Sequence, residues 1–211
     1  MSLIGAARGQ IVTYGFGSAA TATTAATSVV ASLTASIFTG NLGSPGTGSG
    51  TPLFSAGSGG SFFSASNWTG SAPGTNYFEF TLTPGAGYEL SVTSISLGYR
   101  VTATGPTAFA VRSSADAYAT SLVTGSITND SAWHSSGTLS ITLSSLTTAT
   151  TLRIYGSGAS SGSGTFRIDD VALGGSLALT AVPEPATSAT IAGTIVLAGV
   201  LIRRRRLQRA A

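Results

Sequence analysis

The sequence predicts an all-β, jelly-roll-like β-sandwich followed by a single C-terminal transmembrane helix. Three observations predict it. Over Tyr77–Thr83, Phe78, Phe80 and Leu82 alternate with Glu79 and Thr81, the period of a strand buried on one face. Similar short stretches recur between Gly/Ser/Pro turns, and no segment before Ala186 sustains a helical period. An uncharged apolar run, Ala186–Ile202, then ends in a block of arginines.

The elements follow in order. Met1–Gly9 has an apolar stretch too short for a signal-peptide core but ends in small residues. It reads as the remnant of a signal peptide whose start codon lies upstream, with a leaderless start as the alternative. Gln10–Phe16 is a first strand rich in β-branched and aromatic residues. Gly17–Thr27 is weakly determined, and Ser28–Thr39 carries enough Val, Leu, Ile and Phe for a strand or two. Gly40–Gly60, dense in glycine, reads as a long loop between strands that still need partners. Ser61–Thr69 is short and aromatic. After a turn at Pro84–Gly87, Tyr88–Thr102 buries Leu90 and Val92, then Ile95, Leu97, Tyr99 and Val101. That one-residue change of face predicts a bulge or break near Thr93 and Ser94. Ala108–Arg112, Thr138–Leu143, Thr151–Tyr155 and Gly164–Leu173 follow as strands, and Leu177–Val182 as the last. Stacked as two sheets, these make a sandwich of about eight to ten strands over residues 10–181.

Composition narrows the function. Charged residues are 8% of the chain, against about a quarter in ordinary domains. Lysine is absent, and the net charge of +3 belongs to the tail. Before Val182, Arg8, Arg100, Arg112, Arg153 and Arg167 stand against Glu79, Glu89, Asp116, Asp130, Asp169 and Asp170. The body is therefore nearly neutral, and nucleic acid is not an expected partner. Without cysteine there is no disulfide, thiolate nucleophile or cysteine metal site. With one histidine besides, a zinc centre is implausible.

The tail, residues 182–211, has three parts. Val182, Pro183, Glu184 and Pro185 form a rigid, extended entry, because proline fixes its own backbone and restricts its predecessor. Residues 186–202 would be roughly 26 Å long as a helix at about 1.5 Å per residue. That is the short end of what crosses a hydrocarbon core of about 30 Å. Arg203, Arg204, Arg205, Arg206 and Arg209 then act as a stop-transfer cluster held on the cytoplasmic side. This combination resembles the PEP-CTERM sorting signal of Gram-negative bacteria. The resemblance implies recognition by an exosortase, a membrane-embedded transpeptidase-like enzyme, with cleavage near Pro183–Pro185. It also implies an inner-membrane intermediate and a final place at the cell surface or outside the cell, often in bacteria that make exopolysaccharide. A plain membrane anchor is the alternative, and it needs no Pro-Glu-Pro.

In the body, FRIDDVALGG resembles the closing strand of galactose-binding-like and other carbohydrate-binding jelly-roll modules. NYFEFTLTPGAGYELSVTSISL, FAVRSS and LRIYGSGASSGSGTFRIDDVAL together resemble a jelly-roll domain recurrent in secreted bacterial proteins. In such modules an acid of this strand helps to bind structural Ca²⁺ with backbone carbonyls, which here implicates Asp169 and Asp170. Both sit where the inward face switches from Ile168 to Val171, so a bulge would turn one carboxylate inward. The alternative is that one caps a turn or pairs with Arg167 or Arg153.

Trp68 and Trp133 are candidates for stacking on sugar rings, against a core or strand-edge role. No catalytic residues are expected. No Gly-x-Ser-x-Gly flanks a serine in a strand–helix context, the glycine runs lack a following Lys-Ser/Thr, and Glu79 and Glu89 read as surface carboxylates rather than a glycosidase pair. Arg100, Arg112, Arg153 and Arg167, scattered along strands, read as edge charges and surface pairs rather than an anion site. The expectation is a non-enzymatic, exported protein with a structural or adhesive role in the extracellular matrix. An exopolysaccharide-binding module is the first alternative and a polysaccharide hydrolase the second.

Overall fold

The computed structural model describes residues 9–18, 21–41, 46–49, 61–69 and 74–180. The chain divides into two compact units, Met1–Leu179 and Thr180–Ala211. The expected sorting motif, transmembrane helix and arginine cluster lie outside the described residues, as does most of the expected signal-peptide remnant. Among the described residues no helix is long and apolar enough to cross a membrane.

The first unit is all-β, as its alternating stretches predict. Its strands are β1 (Gly9–Tyr14), β2 (Ser28–Val29), β3 (Leu33–Ala35), β4 (Thr39–Asn41), β5 (Gly46–Ser49), β6 (Ser61–Ala65) and β7 (Tyr77–Pro84). They continue with β8 (Tyr88–Val101), β9 (Ala108–Ser113), β10 (Val123–Ser126), β11 (Trp133–Ser135), β12 (Leu139–Leu146), β13 (Thr150–Ser157) and β14 (Phe166–Leu179). A 3₁₀ turn, Ser114–Asp116, follows β9. All pairings are antiparallel. One sheet runs β11-β8-β14-β1-β2, with β12 also on β8, β6 on β14 and β5 on β6. The other runs β10-β9-β13-β7-β3, with β4 also on β7.

This is more strands than the alternation predicts. The additional ones are short: β2, β10 and β11 are 2, 4 and 3 residues long. Each is defined by the backbone of a long neighbour rather than by an apolar pattern of its own. The Gly-rich stretch read as loop contains β5, paired to β6. Leu177 belongs to the single 14-residue β14 instead of a separate last strand.

Both expected irregularities are present. Gly174 and Gly175 of β14 face Ser94 and Val92 of β8, which leaves Thr93 as the extra residue. Further up the same ladder, Asp169 faces Gly98 and Ala172 faces Ser96. Asp170 adopts a left-handed backbone there, with φ 47°. The inner face thus passes from Phe166 and Ile168 to Val171 and Leu173, and the bulge between them leaves the Asp169 side chain buried.

Between the sheets, Phe78, Phe80 and Leu82 of β7 and Ile154 and Leu152 of β13 share one core with Val92, Ile95 and Leu97 of β8 and Phe166, Ile168, Val171 and Leu173 of β14. The centre is aromatic. Phe38 lies within 5.9 Å, centroid to centroid, of Tyr14, Phe16, Phe63, Phe78 and Phe80. The Tyr14 hydroxyl donates to the Ser36 carbonyl at 2.8 Å, so its polar end is satisfied and burial raises its pKa well above the usual phenol value. Trp68 belongs to this core. It is 1% exposed, packs edge-on against Phe78 and Phe166, and its indole N–H donates to the Ala65 carbonyl at 2.9 Å. The expectation that Trp68 stacks on a sugar is therefore corrected, because no ring face is open to a ligand.

Candidate functional site

The outer face of the second sheet carries the most organised constellation. Alternation places Tyr77, Glu79 and Thr81 of β7 and Thr151, Arg153 and Tyr155 of β13 on the outer face, opposite the inward Phe78, Phe80, Leu152 and Ile154, although Tyr155 is itself buried there. Register then sets Arg153 directly between Glu79 on one side and Arg112 of β9 on the other. Arg153 Nε donates to Glu79 Oε2 at 2.9 Å. Its guanidinium lies over two rings, with Cζ 3.8 Å from the centroids of both Tyr77 and Tyr118. Tyr77 in turn meets Tyr155 edge-on at 5.6 Å. Burial opposes the Arg153 charge, but hydrogen bonding to Tyr155 and Glu79 raises its pKa above the ordinary arginine value.

Tyr118 is the member that no strand pattern reveals. It reaches the face from the turn after β9, where Ala117 and Tyr118 both hold left-handed backbones, φ 55° and 63°. Such a conformation costs a non-glycine residue about 1–2 kcal/mol, and it persists only where surroundings enforce it. Here they do. Tyr118 N donates to Ser113 O at 2.8 Å. Arg112 Nη1 donates to the carbonyls of Tyr118 and Ala119 at 2.7 and 3.1 Å. Asp116 accepts from the Thr120 backbone N–H at 3.0 Å and from its hydroxyl. The hydroxyl contact, followed by the backbone one, holds the Asp116 carboxyl below the usual range. The result is a half-buried, preorganised set of aromatic faces, a planar cation and a carboxylate on one open sheet. Such a set can stack on a ring and hydrogen-bond to hydroxyls around it.

The Asp169–Asp170 pair lies in the first sheet. Asp169 is 2% exposed, and its carboxylate accepts from the Asp170 backbone N–H at 2.8 Å. Burial, and then the neighbouring Asp170 charge, push its pKa up to about 7. Burial also raises Asp170, whose Oδ1 approaches Gly15 beside the Thr27 side chain. Neither forms an ion pair, since Arg153 is taken by Glu79 and Arg167 has no carboxylate within reach among the described residues. The alternative in which one aspartate pairs with Arg153 or Arg167 is thereby removed. Two uncompensated carboxylates beside backbone and a hydroxyl are the oxygen donors a hard cation takes. Among the described residues no group of three or more acidic, histidine or cysteine side chains gathers around a metal position, so the remaining ligands would be carbonyls and water.

Trp133 is half-exposed on β11, directly across from Arg100 of β8. Its ring packs on Phe62 at 5.7 Å. His134, the next residue, stacks on Tyr99 and bonds Asp130 Oδ1 through Nε2 at 2.8 Å. Farther along the outer face of the first sheet lies a groove of about 740 Å³. Hydroxyls and glycines line it, among them Ser94, Ser96, Thr142, Ser176 and Gly174, together with Gln10.

No protein-family model matches the chain, and no curated protein matches it. Solved structures give distant likenesses. The K1 cleaved adhesin domain of Lys-gingipain from Porphyromonas gingivalis W83 is 12% identical over 76% of this chain and 95% of that one, with a TM-score of 0.39. A family 11 carbohydrate-binding module from Clostridium thermocellum, in complex with a mixed-linked tetrasaccharide, is 16% identical over 83% and 99%, with a TM-score of 0.37. An arabinose-bound α-L-arabinofuranosidase is 14% identical over 79% of this chain but only 26% of its own, with a TM-score of 0.45. With TM-scores below 0.5, these likenesses assign this chain no residue role.

Proposed function

We propose that this chain is an exported, non-enzymatic β-sandwich that acts as a surface adhesin by holding extracellular glycan on its tyrosine–arginine face. One observation carries the reading: Arg153 is clamped between Tyr77 and Tyr118, and two strained residues are spent on bringing Tyr118 there. Sugar rings have apolar faces and hydroxyl edges. The rings supply stacking area, while Glu79 and Arg153 supply an acceptor and donors in fixed positions. Glu79 is committed to Arg153, which favours binding over acid–base hydrolysis. Asp169 and Asp170 hold a structural Ca²⁺ in this reading. The tail supports export: Pro183, Glu184 and Pro185 present a site to an exosortase, and residues 186–202 hold the chain in the inner membrane until it is cut.

A glycan array probed with the full-length protein in detergent tests the binding. Selective capture of exopolysaccharide fragments is expected, weakened at least tenfold by Tyr118→Ala. Equal capture by wild type and variant, or none by either, overturns the reading.

A further inference from the structure

On the opposite sheet, two arginines face each other without an acid. Arg167 of β14 and Arg100 of β8 are cross-strand partners, an arrangement in which like charges repel. We propose that Arg100, Arg167 and the Trp133 indole form a second binding site, which takes an anionic group, a uronate carboxylate or a sulfate ester, of an acidic polysaccharide.

Each member is anchored by one contact and keeps donors in reserve. Arg100 Nε donates to Ser131 O at 2.7 Å, and the side chain makes no ion pair among the described residues. Arg167 lies over Phe62, with Cζ 5.0 Å from the ring centroid. Trp133 packs on the same Phe62 ring and sits directly across from Arg100. Its Nε1 is buried with no hydrogen-bond partner, a rare condition for a tryptophan. Burial, and then the Arg100 charge, lower the pKa of Arg167, so both guanidiniums would gain from a counterion. Two planar forks with an indole N–H match the several acceptor oxygens of a carboxylate or sulfate.

A polymer fits better than a free ion. Ser94, Ser96 and Arg100 share the outer face of β8, alternating with the buried Ile95, Leu97, Tyr99 and Val101. From Arg100 to the groove beside Ser94 is roughly 20 Å at about 3.3 Å per residue. The hydroxyl-lined groove would receive neutral parts of a chain whose charge is held at the arginines.

The test is calorimetric titration of the full-length protein with oligogalacturonate and with a sulfated oligosaccharide of equal length. Sodium chloride at matched ionic strength is the control. Binding of either is expected, and the tighter one names the anion. Arg100→Gln with Arg167→Gln should weaken it by a hundredfold or so, at about tenfold for each charged hydrogen-bonding group. Trp133→Phe, which leaves an aromatic ring beside Phe62 but removes the N–H together with the five-membered ring, should weaken it several-fold. The double variant should keep or raise its melting temperature, because it removes a repulsion. Tyr118→Ala should leave this binding unchanged, which separates the site from the tyrosine face. No binding of either oligosaccharide overturns the proposal, as does binding that the double variant retains or that chloride reproduces.

Discussion

Gly156 of β13 stands against the indole of Trp68: a Cβ on it would lie 2.9 Å from Trp68 Cε3 and 3.2 Å from Pro106 Cγ. The pairing fixes Trp68 as a packing residue. Trp68→Ala should cost about 3–5 kcal/mol in urea unfolding, the range for a large aromatic removed from a core. Gly156→Ala should cost about 1–3 kcal/mol by overpacking. Where these variants still fold, glycan binding should be unchanged. A Trp68→Ala protein of native stability that had lost binding would return Trp68 to the surface.

That contrast marks what the sequence can disclose. Phe78, Phe80 and Leu82 were legible as inward because their neighbours Glu79 and Thr81 must face water. The Thr93 and Asp170 bulges were legible because the apolar period slips by one residue there. Trp68 was not, since Phe78, Gly156 and Phe166 reach it from distant parts of the chain. The Arg153 clamp was half legible. Alternation puts Tyr77, Glu79 and Arg153 outward, but only sheet register sets Arg153 beside Glu79. Tyr118 depends on a turn whose left-handed residues are not glycine. The reading of the body arginines as edge charges fails at Arg100 and Arg167, because strand pairing decides which scattered arginines become neighbours.

Asp169 makes stability depend on pH. A carboxyl raised to about 7 in the folded chain and near 4 when unfolded binds an extra proton only in the folded state between those values. Stability should therefore be highest near the lower end and fall as pH rises toward 7, by up to about 1.4 kcal/mol for each pH unit. With chelator present, the melting temperature should drop from pH 5 to pH 8. Asp169→Asn should flatten the curve and stabilise the chain at pH 8. A wild-type profile that rises over this window would contradict the assignment.

The Ca²⁺ proposal has its own signature at the same residue. At pH 8, millimolar calcium should raise the melting temperature of the wild type and leave Asp169→Asn unmoved. A wild type indifferent to calcium would remove the ion from the account without touching the pH effect.

The Arg153 clamp predicts a graded loss. Arg153→Ala forfeits two cation–π contacts and the Glu79 bond, and should cost about 1–2 kcal/mol in chemical unfolding. Arg153→Lys keeps the charge but not the planar guanidinium over two rings, and should fall between. Equal stability of all three proteins would mean that the clamp organises nothing.

The sorting proposal is decided by mass. In a host with an active exosortase, intact-mass spectrometry should find mature protein ending near Pro183–Pro185. In a host lacking that enzyme, the same chain should keep Arg203–Arg206 and remain with the inner membrane. An uncut C-terminus in both hosts would leave only a plain anchor.

Hydrogen exchange on the full-length protein, with and without its best-bound neutral glycan, tests the tyrosine–arginine face most directly. Slower exchange at residues 116–120 and around Tyr77 on addition of the sugar is the predicted footprint. A bound glycan that leaves those amides unchanged, and protects some other surface instead, would contradict it.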